Sequence, residues 1–177
     1  MIKVSLANLG KYNEGKLISE WLELPASHNK INSTLKKIGI DGKTYEEYFI
    51  VDYEFSKNIK FDIPEHSSVL QLNEIAKELK SLNEIELYGV QAYIELYGSD
   101  IDNVTDAIEF AKSGDYNILH DCKSMIDVAH YYIDEADIYN LPEIAKTYFD
   151  YESFARDLEI EGNFIFVDGG VCVELLN

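Results

Sequence analysis

The spacing of apolar residues along the chain switches between the two-residue period of strands and the longer period of helices. Residues 3–9, Lys-Val-Ser-Leu-Ala-Asn-Leu, alternate well enough for a strand, and Gly10 breaks the pattern before a polar loop that runs through Gly15. A second extended segment is predicted over about 17–24, stopped by Pro25. Ile31, Leu35 and Ile38 share one face of a helix that begins near Ser27 and closes at Gly39. Residues 45–54 are rich in Tyr, Phe, Ile and Val, which favours a third strand and completes a β-β-α-β unit.

Beyond Pro64 the period becomes helical. Val69, Leu72, Ile75, Ala76 and Leu79 line one face behind the capping residues Ser67 and Ser68, and further helices are predicted over about 84–97 and 103–114. Tyr116, Ile118 and Leu119 mark a strand within 115–120. Met125, Val128, Ala129 and Tyr132 then make the inward stripe of a helix near 124–135. Pro142 suits the first position of a short helix ending near 148, and another is predicted over 151–158. Phe164 to Val167, the turn Asp168-Gly169-Gly170 and Val171 to Leu175 read as a terminal hairpin, with the glycines supplying positive φ. The expected fold class is α+β, with small domains at 1–61, 62–113 and 114–177, the first and last mixed and the middle one helical.

Charge changes the picture more than hydropathy does. The 177 residues hold 33 acids and 15 lysines and arginines, a net of −18, while 46% hydrophobic content places the chain outside the range of disordered acidic tails. Residues 1–80 carry 12 acids against 11 lysines, a net of −1; residues 81–177 carry 21 acids against Lys112, Lys123, Lys146 and Arg156, a net of −17. A surface made acidic for solubility alone intersperses both signs, so the asymmetry argues for a localised purpose. Direct binding to nucleic acid or to an anionic membrane is disfavoured by like charge; a cationic partner fits. At one phosphate per ~1.7 Å of duplex axis, seventeen charges match roughly 29 Å, or about 8–9 base pairs. Candidate partner-facing acids are Glu84, Glu86, Glu95, Asp100, Asp102, Asp106, Glu109, Asp115, Asp121, Asp127, Asp134, Glu135, Asp137 and Glu143.

Catalytic and cofactor signatures fare poorly. The chain has no G-x-G-x-x-G and no Walker-type loop. His28, His66, His120 and His130 form no H-x-x-x-H or H-E-x-x-H pattern, and His120-Asp121-Cys122 lacks a second ligand pair. Asp100, Asp102 and Asp106 suggest a calcium loop, but Thr105 stands where glycine is required and Ala111 where glutamate is. Cys122 lacks a nucleophile signature, and adjacent acids such as Glu46-Glu47 and Asp134-Glu135 arise readily in so acidic a chain. No catalytic, metal or cofactor site is expected. Two distant cysteines, no signal-peptide pattern and no run of about 18 apolar residues lead to the expectation of a cytoplasmic protein with reduced thiols. Thirteen tyrosines, with doublets such as Tyr131-Tyr132, leave room for a protein interface.

Three stretches carry a family resemblance: Ala7-Asn8-Leu9-Gly10-Lys11-Tyr12-Asn13-Glu14-Gly15; Glu46-Glu47-Tyr48 through Asp52-Tyr53-Glu54; and Leu141-Pro142-Glu143 leading into Tyr148-Phe149-Asp150-Tyr151-Glu152-Ser153-Phe154-Ala155-Arg156-Asp157-Leu158. Together they resemble the ArdA antirestriction family over essentially the whole chain. The resemblance implies an elongated homodimer of three small domains, carried on mobile elements, that mimics bent B-form DNA and occupies the DNA groove of Type I restriction-modification enzymes, at their specificity and modification subunits. It further implies an antirestriction motif at Tyr148, Phe149, Asp150, Tyr151, Phe154, Ala155, Arg156, Asp157 and Leu158. An acidic adaptor or chaperone-like module for another basic protein is the alternative from a different class, and a small hydrolase using clustered carboxylates is a third.

Overall fold

The computed structural model describes residues 2–56 and 59–176 and has an α+β fold with two small antiparallel sheets. The chain folds as two compact units: Met1–Leu82 with Ser99–Thr105, and Asn83–Gly98 with Asp106–Asn177.

In the first unit, β1 (Ile2–Asn8) lies between β2 (Ser19–Leu24) and β3 (Tyr48–Phe55), antiparallel to both. Ile2, Val4 and Leu6 of β1 and Leu22 and Leu24 of β2 are fully buried. They meet α2 (His28–Lys37), whose Ile31 packs inward, and α3 (Val69–Ser81), whose Val69, Leu72, Ile75 and Ala76 are the predicted inward stripe. Ser27 and Ser68 cap these helices, each accepting from the backbone N–H three residues on. The one buried amide of α3, Asn73, accepts from the Ala26 N–H at 2.7 Å, so the helix is fixed to the end of β2 by a satisfied polar group. Asp62 and Asp100 form a short parallel bridge that brings residues 99–105 into this unit.

Two local readings change here. Leu9, expected to end the first strand, and residues 10–13, expected as loop, form a single helical turn, α1 (Leu9–Asn13), because the Asn8 side chain accepts from the Lys11 N–H at 2.9 Å while its amide donates to Ile38 O at 3.2 Å. The third strand starts at Tyr48 rather than 45, since residues 41–45 are drawn into a turn around the Asp41 carboxylate.

The second unit is built on the sheet order β4-β6-β5, from β4 (Tyr116–Leu119), β5 (Phe164–Val167) and β6 (Val171–Leu175). The hairpin turn takes the anticipated positive φ at Gly169 and Gly170. On one side, α4 (Glu84–Tyr97) packs Ala92 against Tyr116 and Val173. On the other, Cys122, Val128, Tyr132 and Cys172 form a second cluster, covered by Phe154 and Leu158. The acid-bearing α5 (Ile101–Ser113), which belongs to this unit from Asp106 on, precedes β4, α6 (Met125–His130) follows it, and α7 (Glu143–Lys146) and α8 (Tyr151–Glu161) lead into β5. The predicted 124–135 helix is α-helical only to His130; Tyr131–Glu135 is a π-helical turn, with the Ala136 N–H reaching Tyr131 O at 2.8 Å. Pro142 caps α7 rather than opening it, with an extended ψ of 145°. Among the described residues no helix is long and apolar enough to cross a membrane.

Candidate partner-binding surface

Helical geometry decides which acids face outward. On α4 the inward positions are Gly89, Val90 and Ala92, which leaves Glu84 and Glu95 exposed. On α5 the buried residues Val104, Ala107, Ile108 and Ala111 turn Asp102, Asp106 and Glu109 to solvent. Asp115, Asp121 and Asp137 sit in exposed connections, Asp121 and Asp137 at positive φ where aspartate is tolerated, and exposed Glu135 ends the π-helical turn. Every described acidic side chain from residue 81 onward is exposed except Glu86, Asp127 and Glu174, which are half-buried. Of the candidates, Asp100 and Asp102 belong to the first unit and the others to the second.

The structure then separates acids whose carboxylates carry structural hydrogen bonds from the other exposed ones. Glu86 closes a capping box with Asn83, accepting its N–H at 2.8 Å. Asp127 accepts from the Lys123 N–H (2.9 Å) and the Ser124 hydroxyl (2.8 Å), and these bonds, the hydroxyl first, hold its carboxyl below the usual range. Asp134 is held low by His130 and then by the Tyr151 hydroxyl. Lys146, its side chain 14% exposed, bonds both Asp137 (3.2 Å) and Glu143 (3.3 Å); burial opposes its charge, yet the two carboxylates carry its pKa above the ordinary lysine value. Glu84 accepts a long bond of 3.3 Å from Tyr88. Glu95, Asp102, Asp106, Glu109, Asp115, Asp121 and Glu135 are the exposed remainder.

The 148–158 segment is split between core and surface. Phe154, Ala155 and Leu158, spaced as one helix face, turn inward onto α6 and the sheet. Asp150 caps α8, accepting from the Ser153 N–H (3.0 Å) and hydroxyl (2.7 Å), the backbone bond first among the causes that lower its pKa. Phe149 meets Tyr151 and Phe154 edge-on at 5.1 and 5.4 Å. Tyr148, at 82% exposure, and Arg156 and Asp157 face solvent. One residue the sequence reading left out is Glu174, whose carboxylate accepts from Tyr132 (2.6 Å) and Asn117 (2.9 Å); its alternation on β6 was the available signal.

The residues weighed for catalysis are placed differently. Cys122 and Cys172 are free and buried, and burial pushes the Cys122 thiol up and that of Cys172 to about 12, so both are protonated at neutral pH. An open cleft of about 730 Å³ in the first unit is lined by Lys11, Lys36, Asp41 and Tyr45. Its carboxylate is occupied by the N–H groups of Tyr45, Lys43 and Thr44, in that order of effect, and is held below the usual range. Glu46 and Glu47 border a second cleft of about 520 Å³ with His66, and no hydrogen bond or ion pair joins His66 to either. Among the described residues no three His, Cys, Asp or Glu side chains are grouped as for a metal ion.

Fold and surface thus define an acid-rich α+β protein whose described carboxylates from residue 81 onward are nearly all exposed. The family model described as antirestriction protein (ArdA) matches residues 4–173, and the chain belongs to that family. Membership makes it an antirestriction protein, of an inhibitor family directed at restriction-modification enzymes. A comparison with curated proteins returns no match.

Proposed function

We propose that the protein is a DNA mimic that occupies the DNA-binding groove of Type I restriction-modification enzymes, at their specificity and modification subunits, and so blocks restriction of incoming DNA in the cytoplasm. The observation that carries this reading is the exposed, scarcely compensated carboxylate surface from residue 81 onward. Enzyme grooves that bind DNA gain much of their affinity from Lys and Arg meeting phosphates with release of counterions, and carboxylates at comparable spacing engage the same side chains. The mimic works as a homodimer, which doubles the length of duplex it replaces, and the three-domain division at 1–61, 62–113 and 114–177 belongs to the same reading. The motif at 148–158 supports the surface from beneath through Phe154, Ala155 and Leu158 and offers Tyr148 and Arg156 outward.

Competition between the protein and a labelled duplex for purified Type I methyltransferase, measured across salt, tests this. The protein displaces the duplex, and its own affinity falls as salt rises, because the charged contacts are screened. An acidic adaptor for another basic protein leaves duplex binding intact, and that result refutes mimicry.

A further inference from the structure

Three side chains from three pieces of the second unit close on one another. His130 ends α6, Asp134 lies in the π-helical turn, and Tyr151 opens α8. The His130 ring stacks on the Tyr151 ring with centroids 4.0 Å apart and planes 17° from parallel. Asp134 bridges the pair: its Oδ2 meets His130 Nδ1 at 2.9 Å and its Oδ1 accepts from the Tyr151 hydroxyl at 2.7 Å. Both carboxylate oxygens are thus spent inside the molecule, although its side chain is 39% exposed and that of His130 52%.

We propose that His130 and Asp134 are positioning residues that clamp Tyr151, and with it the first turn of α8, in a proton-dependent way. The meaning for inhibition rests on the proposed function, because Tyr151 belongs to the 148–158 segment. The clamp itself does not.

The dependence follows from the bonds. Protonated His130 gives Asp134 a charge-assisted hydrogen bond and lays a cation against the electron-rich face of Tyr151. Neutral His130 keeps only the bond of the tautomer with the proton on Nδ1. The clamp therefore tightens when His130 carries a second ring proton and opens when Asp134 takes one, which its partners push below the usual carboxylate range. The other charges that act on this cluster are Asp127, one turn earlier on α6, and Lys146 and Glu143 of α7. The His130 and Tyr151 bonds first, and Lys146 last, hold the Asp134 carboxyl below the usual range, while Lys146 is itself shared with Asp137 and Glu143.

Proton NMR of the Tyr151 ring, together with amide exchange in the first turn of α8, reads the clamp in the intact protein from pH 5 to 8. In the wild type the Tyr151 resonances move, and α8 protection relative to the free-peptide exchange rate falls in a step, as His130 loses its proton. His130→Gln removes that step. Asp134→Asn speeds exchange of the same amides by roughly 10-fold at pH 6, and adding Tyr151→Phe to it changes little more, since one linked unit is already broken. Glu135→Gln, the same loss of charge one residue away, keeps the step and the protection. A wild type with no step, or an Asp134→Asn variant indistinguishable from Glu135→Gln, overturns the clamp. Inhibition of a Type I enzyme by the same variants separates the two proposals: wild type that fails to displace duplex refutes the mimicry, whereas loss of the step refutes the clamp even if inhibition is intact.

Discussion

Tyr132 shows how single side chains in this protein combine core and polar duties. Its ring is 8% exposed in the cluster with Val128 and Cys172, and its hydroxyl donates to Glu174 at 2.6 Å. Burial first, then that bond, push the phenol far above its usual pKa, so it remains a neutral donor at any working pH. Removing the hydroxyl leaves a half-buried carboxylate short of one partner while the ring still packs. Tyr132→Phe is therefore expected to lose about 1.5–3 kcal/mol, the range of a hydrogen bond to a charged group. Glu174→Gln, which keeps an acceptor at the same place, should lose less. Urea denaturation of the two variants decides the matter: equal losses, or none for Tyr132→Phe, would mean the bond is incidental. Little of this was readable beforehand. The sequence marks Tyr132 as inward by its spacing from Val128 and Ala129, but its partner lies 42 residues away across a sheet. Asp134 is similar, counted as one more surface charge because its partner Tyr151 comes 17 residues later.

At the scale of elements, the long helices were legible because period, cap and stop agree. Ser27 and Ser68 cap where expected, and α4 runs over 84–97 as predicted. What escaped were elements of one turn. The α1 turn depends on Asn8, which reads locally as the end of a strand, and the π-helical turn buries Tyr132 and Ile133 four residues after Val128 and Ala129, the spacing an α-helix also gives, so the pattern held no sign of it. Gly89 is the element-scale feature with the most direct test. Mid-helix glycine costs about 1 kcal/mol against alanine, so replacement should help if propensity alone governed. A Cβ there would lie 2.8 Å from Cζ of Tyr116, whose hydroxyl is pinned to Ala111 O at 3.0 Å and Ile85 O at 3.4 Å. The ring cannot retreat without breaking those bonds. Gly89→Ala is expected to destabilise by about 1–3 kcal/mol through overpacking, with Gly89→Ala/Tyr116→Phe recovering part of it by freeing the ring. A stabilised single variant in thermal melts would show that the helix and β4 tolerate more separation than their packing suggests.

For the whole molecule, the proposed function rests on where the charge lies, and the sequence concentrates it from residue 81 onward. The α+β class followed from the alternation of periods, and the acidic bias from counting. Counting could not say which acids were already committed, such as Glu86 to a cap, Asp127 to a turn and Glu143 to Lys146. The exposed remainder can be tested as a set. Neutralising Glu95, Asp106, Glu109, Asp115 and Glu135 in the second unit removes five exposed charges, as does neutralising Glu23, Glu46, Glu47, Asp52 and Glu65 in the first. Both sets relieve the self-repulsion of a chain at −18, so both should hold or slightly raise the melting temperature at low salt. Only the second-unit set should weaken inhibition of a Type I enzyme, and it should flatten the salt dependence by about one unit of log–log slope for each carboxylate that meets a groove cation. Equal losses from the two sets would mean that the enzyme responds to net charge alone, and the case for an ordered array of carboxylates would fall with it.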